Sequence, residues 1–201
     1  MAQNFQNRYY TLEEYLSLEK QSLEKHEYYK GNIYLMAGGT PNHSLISSNL
    51  NRVLGNALED RPCRVYTSDL QILVKAHGLV TYPDVSVVCG AVEHTSEDSN
   101  LVTNPILIVE VLSPSTASYD QTTKFHLYKG LASLVDYVLV DSRGVNVIYF
   151  HKLSFNEWVQ RVYTDLGEVV VFESLQIEVP LERIYAKVEF DSAPRLLREL
   201  S

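Results

Sequence analysis

The run Leu107-Ile108-Val109-Glu110-Val111-Leu112 sets one carboxylate in the middle of an apolar, β-branched stretch. A buried carboxylate without a partner costs several kcal/mol or gives up its charge, so Glu110 needs compensation. Upstream, Thr81-Tyr82-Pro83-Asp84-Val85-Ser86-Val87-Val88 opens a second apolar run with an aspartate, after a proline that cannot donate to a sheet ladder. If the two runs are neighbouring strands, Asp84 and Glu110 converge on one point. Like charges that close raise a pKa or recruit a divalent cation. Taken singly, Asp84 is equally well explained as a turn residue capping its strand, and Glu110 as half of a buried ion pair.

Positions 110 and 112 share one face of a strand. A Glu-x-Lys nuclease pattern would put its amine at 112, but the residue there is Leu112. A lysine follows on the next element, Ser118-Tyr119-Asp120-Gln121-Thr122-Thr123-Lys124-Phe125-His126-Leu127-Tyr128. Asp120, Lys124 and Tyr128 recur every four residues and so line one face of a helix. The plain reading is a surface salt bridge worth about 0.3–0.5 kcal/mol. The functional reading has Lys124 reaching across to the two carboxylates.

Other chemistries have weaker support. The six histidines show no HExxH or paired metal spacing, and Ser113 and Ser115 sit in no GxSxG elbow. No GxGxxG or GxxxxGK[ST] loop offers a phosphate cradle. The fourteen tyrosines read as strand and core residues rather than a base-stacking platform. Cys63 and Cys89 are too few and too far apart for a zinc site or a disulfide framework, which sets a reducing cytoplasm as the expectation. A net charge of −8 argues mildly against nonspecific nucleic-acid binding without excluding DNA as a substrate. No apolar run reaches the roughly 18–20 residues of a membrane span, and the N-terminal stretch has no signal-peptide pattern.

These side chains need elements to hold them. The 201 residues, 45% hydrophobic and 21% charged, suit one domain with a sizeable core and show no linker or repeat. Thr11 and Glu14 make a capping-box pattern for a helix running through LEEYLSLEKQSLEKHE, with Leu12, Tyr15, Leu16 and Leu23 on its apolar face. Gly31 sits at the turn of a hairpin between residues 27–30 and 32–36. A second helix is predicted from His43 to about Glu59, with Ile46, Leu50, Val53, Leu54, Ala57 and Leu58 inward. Strands follow at 64–66, 70–74, 84–88 and 106–112, with Pro114 and the small residues after it as a turn. A third helix is predicted over 118–131, then strands at 135–140, 145–151, 157–163 and 168–172, a short helix at 181–187 and a polar tail. The pattern is a mixed α/β or α+β domain rather than a doubly wound nucleotide binder.

In combination these segments resemble a known family. HEYYKGNIYLMAGGTPNH, SDLQILV, YPDVSVV, LIVEVLSPSTASYDQTTKFHLYKG and DYVLVD, over residues 26–141, are similar to the Uma-type family of restriction-endonuclease-like proteins in the PD-(D/E)XK nuclease superfamily. The resemblance implies a restriction-endonuclease-like α+β core with flanking helices and an N-terminal helix and hairpin. It implies a metal-dependent endonuclease acting on phosphodiesters, with DNA as the expected substrate. Asp84 and Glu110 would take the superfamily's acidic positions and hold Mg²⁺ or Mn²⁺ with the backbone carbonyl of Val111. Lys124 would stand in for the lysine absent at Leu112. Glu27, Asp69, Asp120 and His43 are further candidates; His43 is read as capping its helix or facing the site. By superfamily analogy a homodimer is expected. A binding or assembly module that keeps the fold without cleavage is the alternative.

Overall fold

The computed structural model describes residues 8–96, 98–113, 117–154 and 157–190. Pro114 and Ser115, with the turn expected there, and the polar tail from residue 191 lie outside them.

Helix α1 (Leu12–Glu19) opens on the capping box: the Thr11 side chain accepts from Glu14 N–H, and Glu14 reaches back to Thr11 N–H. It ends eight residues short of the expected stretch, and Leu23 is fully exposed. The carboxylate of Glu19 accepts from the backbone N–H of His26 at 2.9 Å and lies 2.9 Å from that residue's imidazole. This ties the helix end to β1 (His26–Tyr29), which turns through Lys30 and Gly31 into β2 (Asn32–Leu35). Gly31, at φ +85°, takes the left-handed conformation the turn needs.

Helix α2 (Pro41–Ala57) starts two residues earlier than expected, with Thr40 as its N-cap. Ile46, Leu50, Leu54 and Leu58 are buried, whereas Ala57 is exposed. Asn49, also buried, donates to the carbonyls of Ile184 (3.0 Å) and Ala186 (2.9 Å), fixing α5 (Leu181–Ile184) against α2.

Eleven further strands follow: β3 (Cys63–Thr67), β4 (Gln71–Val74), β5 (Leu79–Thr81), β6 (Val85–Cys89), β7 (Leu101–Val102), β8 (Leu107–Leu112), β9 (Asp136–Asp141), β10 (Val147–Lys152), β11 (Trp158–Tyr163), β12 (Val169–Phe172) and β13 (Ile177–Pro180). Two mixed sheets carry most of them, in the orders β2-β1-β5-β4-β7 and β11-β10-β9-β8-β6-β3, each with one parallel pair, β4–β7 and β8–β9; β12 and β13 form a separate ladder. The sequence pattern did not reveal β5, β7 and β13, which at two to four residues are too short to show a period.

Side-chain alternation along β8 separates two cores. Leu107, Val109 and Val111 pack with α2, α5 and the β12–β13 ladder. Ile108 and Leu112 face the other way and pack with Ile72, Val74 and Leu79 of the first sheet. Glu110 shares their parity, so it points into the space between the sheets. A third cluster, Tyr15, Leu16, Tyr28, Leu73, Val80 and Leu101, seats α1 on the outer face of the first sheet.

The expected third helix is three pieces: α3 (Ala117–Tyr119), a π-helical turn (Asp120–Lys124) and α4 (Phe125–Tyr128). Thr122 Oγ1 donates to Ser118 O at 2.7 Å, a local bond that competes with the helical ladder. The final short helix stops at Ile184 rather than 187.

The cysteines contradict the expectation. Cys63 and Cys89 lie directly opposite in the antiparallel β3–β6 pair and form a disulfide. Distance along the chain was the wrong measure, because hairpin-like pairing brings residues 26 apart together. The argument for a reducing compartment loses its basis. Among the described residues no helix is long and apolar enough to cross a membrane.

Candidate active site

Strand register creates the site. β6 and β8 are antiparallel with Val85 opposite Val109, so Asp84, one step before β6, falls opposite Glu110. Val111 N–H donates to Asp84 Oδ2 at 2.7 Å, and Asp84 N–H points at Glu110 Oε2 at 3.4 Å. Pro83 leaves no N–H of its own there, and pairing ends with the aspartate at the strand mouth.

The missing amine arrives from the π-helical turn. Lys124 Nζ sits 2.9 Å from Glu110 Oε1, 2.9 Å from Glu27 Oε1 and 3.8 Å from Asp120 Oδ1. Lys124 is 5% exposed and Asp120 and Glu110 4% each, so the Asp120–Lys124 pair is not a surface salt bridge. Tyr128, one turn on, donates its hydroxyl to Glu110 Oε1 at 2.7 Å. Glu27 comes from the first sheet, where Thr81 Oγ1 donates to it. One lysine therefore joins both sheets and the intervening helix.

The electrostatics follow from burial. Removal from water pushes Glu110 up to about 8, opposed by Lys124 and reinforced by Asp120 and Asp84. Burial alone would lower the Lys124 ammonium, but Glu110, then Glu27 and Asp120, hold it well above its ordinary value. Burial and the charge of Glu110 also raise the Tyr128 hydroxyl, keeping it a donor.

His43 faces the site and is not the cap of its helix. Its Nε2 lies 3.2 Å from Asp84 Oδ2, and the hydrogen bond to Asp84 raises its pKa. Gly39 permits this: a Cβ there would fall 2.5 Å from His43 Nδ1. These groups, with Val111, line a cavity of about 310 Å³. Asp69 is not among them; its exposed carboxylate pairs with Lys25 on the surface. A cavity of about 410 Å³ elsewhere meets Glu19 and His26, which bond to each other, and Glu19 also accepts from Tyr82.

Among the described residues no three His, Cys, Asp or Glu side chains already surround one cation position. Two carboxylates suffice for Mg²⁺, which keeps several waters. Three carboxylates, Glu27, Glu110 and Asp120, surround the Lys124 ammonium, and a fourth, Asp84, lines the same cavity beside His43. That anionic excess and the hard oxygen donors of Asp84 and Glu110 fit a divalent ion.

The sequence reading missed the roles of Tyr128 and Thr81 as partners of Glu110 and Glu27. Tyr128 was visible as the third residue of the four-residue spacing. Nothing in the sequence marked Thr81, which depends on β1–β5 pairing.

The architecture is a mixed α+β fold, shared with a structure of the nuclease-fold class. The crystal structure of "a putative nuclease belonging to DUF820" from Anabaena variabilis ATCC 29413 superposes with a TM-score of 0.69 at 21% identity, covering 88% of this chain and 97% of that one. The uncharacterized protein slr1290 of Synechocystis sp. (strain ATCC 27184 / PCC 6803 / Kazusa) is 39% identical over 178 residues, 89% of this chain and 92% of the relative. A second protein of that strain, sll1609, is 35% identical over 149 residues, 74% and 84% of the two chains. The Uma2 family model, described as "Putative restriction endonuclease", matches residues 12–182, and the chain belongs to that family.

Proposed function

We propose that the protein is a Mg²⁺- or Mn²⁺-dependent endonuclease that hydrolyses phosphodiester bonds in DNA. The carrying observation is the placement of Lys124 Nζ 2.9 Å from Glu110, with Asp84 opposite Glu110 across the strand pair. Asp84, Glu110 and the carbonyl of Val111 would hold the ion, which when bound supplies Lewis-acid polarisation of the scissile phosphate. The Val111 N–H fixes the Asp84 carboxylate, and the Tyr128 hydroxyl fixes Glu110. Lys124, permanently cationic among carboxylates, is positioned to stabilise negative charge developing on the phosphate oxygens. His43, hydrogen-bonded to Asp84 at the cavity wall, is placed to hold or pass a proton beside the reacting phosphate. Glu27 and Asp120 position the Lys124 ammonium. A homodimer that cuts both strands belongs to this reading by analogy with the superfamily.

The test is plasmid nicking with Mg²⁺ or Mn²⁺. Asp84→Ala and Lys124→Ala are each expected to lose at least a hundredfold in rate, in line with removal of one preorganised electrostatic group. Equal cleavage by all three proteins would overturn the assignment. The second reading, a binding or assembly module, is favoured by one observation: Glu110 is already paired with a protein cation. Titration calorimetry separates the two, because the module would take up no divalent ion.

A further inference from the structure

The mouth of the cavity is aromatic, against the reading of the tyrosines as strand and core residues. Tyr34 is 52% exposed and lies directly opposite Glu27 in the β1–β2 register. The two side chains therefore share a face, with Tyr34 outermost because β2 is the edge strand of its sheet. Tyr119, 37% exposed, immediately precedes Asp120 and lines the same cavity from the helical side. Its hydroxyl lies within electrostatic reach of Glu27, Lys124 and Tyr34, and both phenols line the cavity that holds the Lys124 network. Among the described residues neither ring is stacked on another aromatic ring.

Charge points the same way. Among the described residues lining this cavity the only Lys or Arg is Lys124, which is buried and held by carboxylates. A surface that tracks a duplex spends several Lys or Arg on phosphates, and this chain has a net charge of −8. Exposed aromatic faces suit unpaired bases, since every base offers a π-face; with no basic track among the described residues of this cavity, stacking rather than phosphate pairing would have to carry the binding.

We propose that Tyr34 and Tyr119 stack unpaired nucleobases and thereby select single-stranded or locally splayed DNA for this site. A strand held by its bases would present its backbone to the cavity that Asp84, Glu110 and Lys124 also line. The selectivity rests on the nuclease reading for its consequence, but the binding itself does not require cleavage.

The experiment measures fluorescence anisotropy of one labelled oligonucleotide, single-stranded or annealed to its complement, in EDTA with the full chain. The single strand is expected to bind at least tenfold more tightly than the duplex. Tyr34→Ala and Tyr119→Ala should each weaken single-strand binding by roughly five- to a hundredfold, with Phe at either position restoring it and duplex binding unmoved. Circular dichroism melting checks that the alanine variants remain folded, as expected for exposed positions. Duplex binding as tight as single-strand binding, no binding of either, or unchanged affinity in both alanine variants overturns the proposal. A separate arm follows Mn²⁺-dependent cleavage of an oligomer of abasic tetrahydrofuran phosphodiesters, which has no aromatic ring to stack, by wild type and Asp84→Ala. Hydrolysis without base stacking removes this proposal and leaves the nuclease reading. Stacking without hydrolysis does the reverse.

Discussion

Glu110 is the residue on which the site's energetics turn. Its carboxylate is buried, bonded to Lys124 and Tyr128, and raised to about 8 chiefly by loss of water. A carboxyl group whose folded pKa lies above its unfolded value binds its proton more tightly in the native state. Its stabilising contribution is complete below about pH 4.5, the unfolded value, and is lost as pH rises through 8. In EDTA the wild type should therefore lose stability between about pH 5 and 8 relative to Glu110→Gln, at up to roughly 1.4 kcal/mol per pH unit. Urea denaturation of both proteins across that range gives the answer, and parallel pH profiles would contradict the assigned environment. The same geometry explains why Leu112 does not end the case for chemistry: it is buried in the inter-sheet core beside Glu110, while the amine comes from outside the strand.

At the scale of elements, two local devices do different work. The π-helical turn carries Asp120 and Lys124 and leads into Tyr128, all buried against the carboxylates; such turns frequently mark functional sites. The Cys63–Cys89 bridge pins the edge strand β3 to β6 at the end remote from Asp84. It closes a 26-residue separation, for which the chain-entropy account gives a stabilisation of about 3.5 kcal/mol. Reduction should lower the urea midpoint accordingly while leaving nicking activity intact, because Asp84 lies at the other end of its strand. A midpoint unmoved by reductant would show that the bridge contributes nothing to the fold. Mass spectrometry of protein trapped by alkylation at lysis would then report whether the bond is present in the cell.

Across the whole molecule, the site is an anionic junction between two sheets. Glu27 comes from one sheet, Asp84 and Glu110 from the other, and Lys124, from the helical segment between them, pairs with Glu27 and Glu110 and so links the layers. A ligand that binds only the native state stabilises it by mass action. Saturating Mn²⁺ should raise the melting temperature by roughly 5–10 °C, given about 2.7 kcal/mol at a hundred times Kd and the response of a chain this size. Asp84→Ala should abolish the rise. A shift of equal size in that variant would place the cation elsewhere.

The residue pattern by itself determined the class of architecture, the α1 capping box, the buried face of α2 and the Asp84, Glu110 and Lys124 trio as candidates. Each of these is written in local periodicity or in a costly residue type at a buried position, which neighbouring residues make visible. It could not determine that Asp69 stays on the surface, that Cys63 meets Cys89, that Tyr34 and Tyr119 frame the cavity, or that the Asp120–Lys124 pair is buried. Those outcomes depend on which strands pair, in what register, and on how a π-turn rotates one helix against a sheet. Register and layer packing are set by contacts between residues far apart in the chain, so only the assembled tertiary structure could decide whether the carboxylate in the middle of β8 faced a lysine.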